Sequence, residues 1–317
     1  MLPTFLLTLQ KVAMLLCFTG LGYALRRTGL LPKDAARVLS VLCATVFLPA
    51  YTVLNLSKNM DPATLLDDGL LVAAGCFWLI GSLPLAYLLR HFLGKTPAEK
   101  GALTYIFIFT NYGSFGYPVI EGVFGSEVLG KMILFLIPFS IATYSYGYAL
   151  FVEKTGGVKG VLKNLLKAPV IWAVAAGIVL GLLRVKLADV AVVGDVLKGA
   201  GACMSPGSML LAGVVLGGYP LKSLFGGKKG YLILALRMLA IPALGLIACL
   251  LLRLKGYFLL FPMVLLCMPL GLNTVVFPES RGEDASESAR MVFQSTLLAL
   301  FTLPPFFALL FHLAGLE

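Results

Sequence analysis

Two asparagines stand in apolar stretches where a charge-free chain would have little use for them. Asn111 opens the run Asn111-Tyr112-Gly113-Ser114-Phe115-Gly116-Tyr117-Pro118, and Asn273 closes Met268-Pro269-Leu270-Gly271-Leu272-Asn273, which continues to Pro278. Proline removes an amide donor and clashes with the carbonyl four residues back, while glycine accepts the dihedrals of an unwound turn. Both segments are therefore predicted to be broken helices. Unwound backbone is tolerated in hydrocarbon only where protein or a water-filled cavity meets its polar groups. Matched breaks in two spans thus point to a binding site near the bilayer midplane. The helix that resumes after a break begins with an end worth roughly half a positive charge. Two such ends, with the carboxamides of Asn111 and Asn273 as uncharged donors, would bind an anion and also release it. Gly113, Pro118, Pro269 and Gly271 lie in or beside the breaks and complete the candidate site.

A second set of residues could serve a cation. Sodium needs only oxygens, and Ser140, Thr143, Ser145, Gln294, Ser295 and Thr296 offer them; the same residues equally often bond backbone carbonyls or neighbouring helices. Arg237 lies about seven residues into its span, roughly 10 Å deep at 1.5 Å per residue. An arginine at the bilayer centre costs roughly 2.5–3.5 kcal/mol on insertion scales. It either snorkels to the interface or faces the cavity and draws anions toward the breaks. Lys11 reads as a snorkelling or interhelical residue. Asp195, Glu121 and Glu279 fall at span edges and His91 and His312 near span ends, so no intramembrane carboxylate relay for protons is visible. The six cysteines lack CxxC spacing, so neither a disulfide framework nor a metal site is signalled. HExxH and GxSxG are absent, and no cofactor or enzymatic activity is expected.

The elements that must position these residues are membrane helices. Of 317 residues 59% are apolar and 13% charged, against about 45–50% and 25% in soluble domains. A span needs about 20 apolar residues, and ten stretches fit, near 4–25, 38–57, 69–89, 101–121, 131–152, 169–187, 196–218, 231–252, 257–278 and 291–314. The net charge of +10 does not call for nucleic acid, because the basic residues gather in short loops. Sixteen Lys and Arg fall in one set of alternating loops and six in the other. By the positive-inside rule, both termini are expected on the extracytoplasmic side. No basic residue precedes the first apolar run, and Arg26 and Arg27 follow it, so that helix is expected to stay in the protein rather than be cleaved as a signal.

The basic loop from Glu153 to Ala168 divides the chain into 1–152 and 169–317, each with five spans. Five is odd, so the second set must run through the membrane in the opposite sense, as an inverted repeat. The second span of each half carries a proline (Pro49 and Pro206), and the fourth span of each is the most interrupted. Gly177 and Gly181, and Gly213 and Gly217, have the GxxxG spacing that lets helix backbones approach closely; packing within one protomer is the expected use.

With the two break motifs, two further stretches carry a family likeness: Cys203-Met204-Ser205-Pro206-Gly207-Ser208-Met209-Leu210-Leu211-Ala212-Gly213 and Gln294-Ser295-Thr296-Leu297-Leu298-Ala299-Leu300-Phe301-Thr302-Leu303-Pro304. In order along the whole chain, they resemble a bacterial member of the auxin efflux carrier family. The resemblance implies an all-α membrane protein of ten helices in two inverted five-helix repeats. Helices 1, 2, 6 and 7 would form a scaffold, 3–5 and 8–10 a moving transport domain, with broken helices 4 and 9 crossing. It further implies that a small organic anion binds beside the crossing near Asn111, Asn273, Pro118 and either Pro269 or Pro278, that transport runs by an elevator-type alternating access, and that the protein is a homodimer. The central loop is short, which argues against auxin as the substrate. Efflux or facilitated exchange driven by gradient and membrane potential is the leading expectation. A sodium-coupled importer similar to the bile acid symporters, which share the architecture, is the alternative.

Overall fold

The computed structural model describes residues 2–32, 34–151, 166–279 and 283–314. The connecting loop expected at 153–168 lies outside the described residues except for its last three. The described chain is helical and contains no β-strand. Its helices of seven or more residues are α1 (Leu2–Arg27), α2 (Ala35–Asn59), α3 (Pro62–Leu93), α4 (Pro97–Ile108), α5 (Tyr112–Phe135), α6 (Ile137–Gly147), α7 (Pro169–Leu182), α8 (Ala191–Leu216), α9 (Lys228–Leu251), α10 (Gly256–Cys267), α11 (Asn273–Glu279) and α12 (Ser286–Ala314). Six of these (α1, α2, α3, α8, α9 and α12) are long and apolar enough to cross a membrane, and α5 with α6, bent by 52°, would make a seventh. The remaining stretches read from the sequence correspond to shorter pieces: α7, and the pairs α4 with the start of α5 and α10 with α11. Breaks at 109–111 and 268–272 cut the two pairs below spanning length, the second of them at Pro269 and Gly271, while α7 is short but unbroken.

Prolines also act within continuous helices. Cys43–Phe47, Tyr112–Gly116 and Leu236–Ala240 are π-helical turns, and in each the second residue after the turn is a proline: Pro49, Pro118 and Pro242. The missing N–H and the ring's clash with the carbonyl four residues back fall inside the turn, which widens to accommodate them. A fourth π turn, Thr143–Gly147, has no such proline. There, Thr143 Oγ1 donates to the Phe139 carbonyl at 2.8 Å and Ser145 Oγ to that of Ile141 at 2.6 Å, competing with the backbone ladder. Within α5, Gly125 takes φ +88° and ψ 169°, a conformation that favours glycine, and the chain turns there.

The tightest helix pairs are made by glycine. Gly213 lies against the backbone of Thr19 and Gly22, and Gly217 against Arg26, joining α8 to α1. Gly177 and Gly181 lie against Val53, Leu56 and Met60, joining α7 to α2. The GxxxG spacings thus serve packing within the chain. The Lys11 stem lies over Gly122, where a larger side chain would have to displace it, so this lysine is an interhelical neighbour of α5.

Candidate functional site

The two interrupted segments meet. Thr110 and Leu270 form an isolated antiparallel β-bridge, and the Asn111 N–H donates to the Pro269 carbonyl at 2.9 Å. The Leu270 N–H donates to Ser295 Oγ on α12 at 3.1 Å. Backbone groups freed by the breaks thus find partners in one another and in a neighbouring helix, as burial requires. The carbonyl of Asn111 in turn accepts from Phe115 and Gly116 at 3.2 and 2.9 Å, starting α5.

Beside this crossing lies a cavity of about 110 Å³. From the breaks it is lined by Thr110, Asn111, Gly113, Gly271 and Asn273; from α2 and α8 by Ser40 and Ser208; from α6 by Ser140 and Thr143. Four tyrosines, Tyr105, Tyr112, Tyr117 and Tyr144, complete much of its wall. None of the lining side chains carries a charge. Three of the four π turns contribute to it: Cys43 and Ala44, Tyr112 to Ser114, and Thr143 and Tyr144. π turns recur at functional sites because they re-aim side chains within a helix.

The polar groups differ in how they are engaged. The Asn273 carboxamide donates to the Tyr105 hydroxyl at 3.2 Å. The Tyr112 hydroxyl donates to Ser140 Oγ at 3.3 Å and lies 3.2 Å from Thr143 Oγ1. Thr110 Oγ1 is buried without a hydrogen-bond partner among the described residues. An unmet buried hydroxyl costs about 1–3 kcal/mol, and beside a cavity it is a group for water or ligand to satisfy.

The structure brings Asn111, Asn273, Gly113 and Gly271 to one cavity. Pro269 lies in the break and supplies a carbonyl to it, whereas Pro278 falls in the last turn of α11. Neither Pro118 nor Pro269 is among the lining residues; their part is in shaping backbone. Arg237 departs from both expectations. At 1% exposure it does not snorkel, and it does not line the cavity. Its Nε donates to the Ile106 carbonyl at 3.0 Å and its Nη1 to that of Leu266 at 2.6 Å. Both carbonyls lie in the last turn of their helices, where main-chain acceptors lack intrahelical partners.

The candidate sodium ligands separate into two groups. Ser140 and Thr143 line the cavity. Gln294 donates to the carbonyls of Leu224 and Gly226 at 3.0 and 3.1 Å, and Ser295 and Thr296 both donate to that of Val292, at 2.8 and 2.7 Å. Ser145 bonds its own helix. Sequence reasoning missed Thr110, Tyr105, Ser40 and Ser208. Thr110 could have been found as the neighbour of Asn111, but the others lie in regular helix and reach the site only through tertiary packing. It also left Glu121 and Glu279 without a partner. Each accepts a tyrosine hydroxyl from another helix or its end: Glu121 from Tyr51 and Glu279 from Tyr219, the latter at 2.8 Å.

Residues 7–307 match the family model described as membrane transport protein, the family of the auxin efflux carriers. The chain belongs to this family. Among relatives of the membrane transport protein family, an uncharacterized transporter of Methanocaldococcus jannaschii is 27% identical over 305 residues, covering 94% of this chain and 97% of its own. An uncharacterized transporter of Methanothermobacter thermautotrophicus is 25% identical over 297 residues, covering 93% and 96%. Family membership and the apolar helices together identify an integral membrane transporter.

Proposed function

We propose that the protein is a secondary carrier of small organic anions, whose carboxylate binds at the meeting point of the two breaks. The observation that carries this reading is the cavity itself: donors from both breaks converge on it and no lining side chain is charged. A carboxylate is an acceptor-only group, and carboxamide N–H groups, hydroxyls and the free amides at the start of α5 match it. Neutral donors hold an anion without the several kcal/mol of a buried ion pair, so the site can empty on the far side. A volume of about 110 Å³ is well below the roughly 300 Å³ at which pockets for drug-sized ligands begin. It favours short mono- and dicarboxylates over bulky aromatic acids.

The ten stretches are read as two inverted repeats, with α1, α2, α7 and α8 as scaffold. In support, glycine contacts join α1 to α8 and α2 to α7, and the cavity lies where α2, α7 and α8 face the broken helices. Alternating access by an elevator-like shift would carry the crossing past that scaffold. With both termini outside a bacterial inner membrane, each negative charge leaving a cell polarised by 100 mV gains about 2.3 kcal/mol, or about fifty-fold in concentration ratio. Efflux or exchange needs no other energy source.

The test uses purified protein in liposomes, a panel of labelled carboxylates, and a potassium diffusion potential imposed without sodium. Saturable flux that follows the potential is the expected result. Absence of protein-dependent flux for every carboxylate in the panel would remove the reading.

A further inference from the structure

Arg237 stands behind the crossing, and its two hydrogen bonds reach both broken spans. Ile106 is in the last turn of α4 and Leu266 in the last turn of α10, and the guanidinium donates to both carbonyls. One buried cation therefore bridges the C-terminal ends of the two helices that lead into the breaks. Each such end carries roughly half a negative charge, so the pair amounts to about one, the charge of a single guanidinium. No ion pair joins Arg237 to a carboxylate among the described residues; the helix ends are its counter-charge. The π turn Leu236–Ala240 that carries Arg237 precedes Pro242, so the placement is built into the chain.

In carriers assembled from broken helices, C-terminal half-helix ends and unwound carbonyls are where coupling cations are coordinated. Here a side chain already occupies carbonyls of that kind. We propose that Arg237 is a tethered substitute for a coupling cation: it neutralises and holds together the negative ends of both broken helices, so that the crossing cycles without sodium. This rests on reading the crossing as the carrier's site, and it deepens that reading by assigning the coupling. It makes Arg237 a positioning residue, not a ligand for substrate.

A simple structural clamp and a cation substitute part company when the side chain is removed: guanidinium can refill the cavity in either case, whereas sodium, which donates no hydrogen bond, restores stability only if the carbonyls form a cation site. The experiment measures the melting temperature of purified full-length protein without substrate, in choline, sodium or guanidinium chloride at equal ionic strength and millimolar concentration. Wild type is expected to melt alike in all three. Arg237→Ala is expected to melt lower in choline and to recover saturably, by about 2–4 °C, in sodium as well as in guanidinium. Arg237→Lys, which keeps a resident charge, should show no such response. Recovery of Arg237→Ala in guanidinium alone, or equal melting in all three salts, would overturn the proposal. So would a sodium-specific rise in wild type or in Arg237→Lys, which decides the matter if the alanine variant does not fold. Since no substrate enters the measurement, a failure here is distinct from a failure of the anion-carrier reading, which the flux panel decides.

Discussion

The two breaks look equivalent as sequence and differ as chemistry. After the first, α5 resumes through a π turn and continues as Tyr117–Phe135, with a turn at Gly125. The Asn111 carboxamide lines the cavity and hydrogen-bonds to none of the described residues. After the second, α11 lasts seven residues, and Asn273 is already engaged by the Tyr105 hydroxyl. The paired positions of the bridge differ likewise: Thr110 offers an unmet hydroxyl, Leu270 only hydrocarbon. Polarity available to a ligand is thus concentrated on the first break. The second supplies the Pro269 carbonyl and an asparagine held in place.

That asymmetry predicts a ranking. Asn111→Ala should have the largest effect. Losing a hydrogen bond to a charged group costs about 1.5–3 kcal/mol, so carboxylate affinity should fall roughly ten- to hundred-fold, with melting temperature little changed. Asn273→Ala should cost less, about three- to ten-fold in affinity, because part of its donor capacity is spent on Tyr105; Tyr105→Phe should reproduce a share of that loss. Equal losses from the two asparagine variants, read by titration of the same carboxylate, would erase the distinction between the breaks. Thr110→Val keeps the shape and removes the unmet hydroxyl. It should weaken binding by a few-fold and leave stability unchanged or raised by up to about 1 kcal/mol, whereas lower stability would show that the hydroxyl is structural.

The smallest effect is expected where the first broken span begins. The Glu99 carboxylate accepts from the Lys95 amide at 2.8 Å and pairs with Lys229 of α9 at 3.0 Å. The amide and then the ammonium hold its carboxyl below the usual range. Its contribution is present above the ordinary carboxylate pKa and is lost as pH falls through the lowered value. For a partly exposed pair it should stay below about 1 kcal/mol, so Glu99→Gln should lower the melting temperature slightly at pH 7, and the difference should shrink as pH falls through the carboxylate's lowered pKa.

Much of this was legible in the chain, and the reasons are local. Pro269 and Gly271 sit in the second break, and Pro118 follows the π turn that opens α5 just after the first, so interruption of these two segments could be read from residue types. The paired GxxxG spacings announced close packing in the same way. What escaped depended on direction and partner. The depth of Arg237 along its span gives no bearing on which way it points, and the π turn before Pro242 settles that. Tyr105, Ser40 and Ser208 are unremarkable within their helices and acquire meaning only where packing brings them to the cavity. The difference between Asn111 and Asn273 turned on a tyrosine 168 residues away along the chain. Patterns of residue type could not carry that information.

The account is tested most directly by counterflow of a labelled short carboxylate into sodium-free liposomes, comparing wild type with Asn111→Ala at equal protein content. Saturable uptake by wild type that collapses in the variant is the predicted result. Uptake that is unsaturable, or that survives intact without the Asn111 carboxamide, would contradict it.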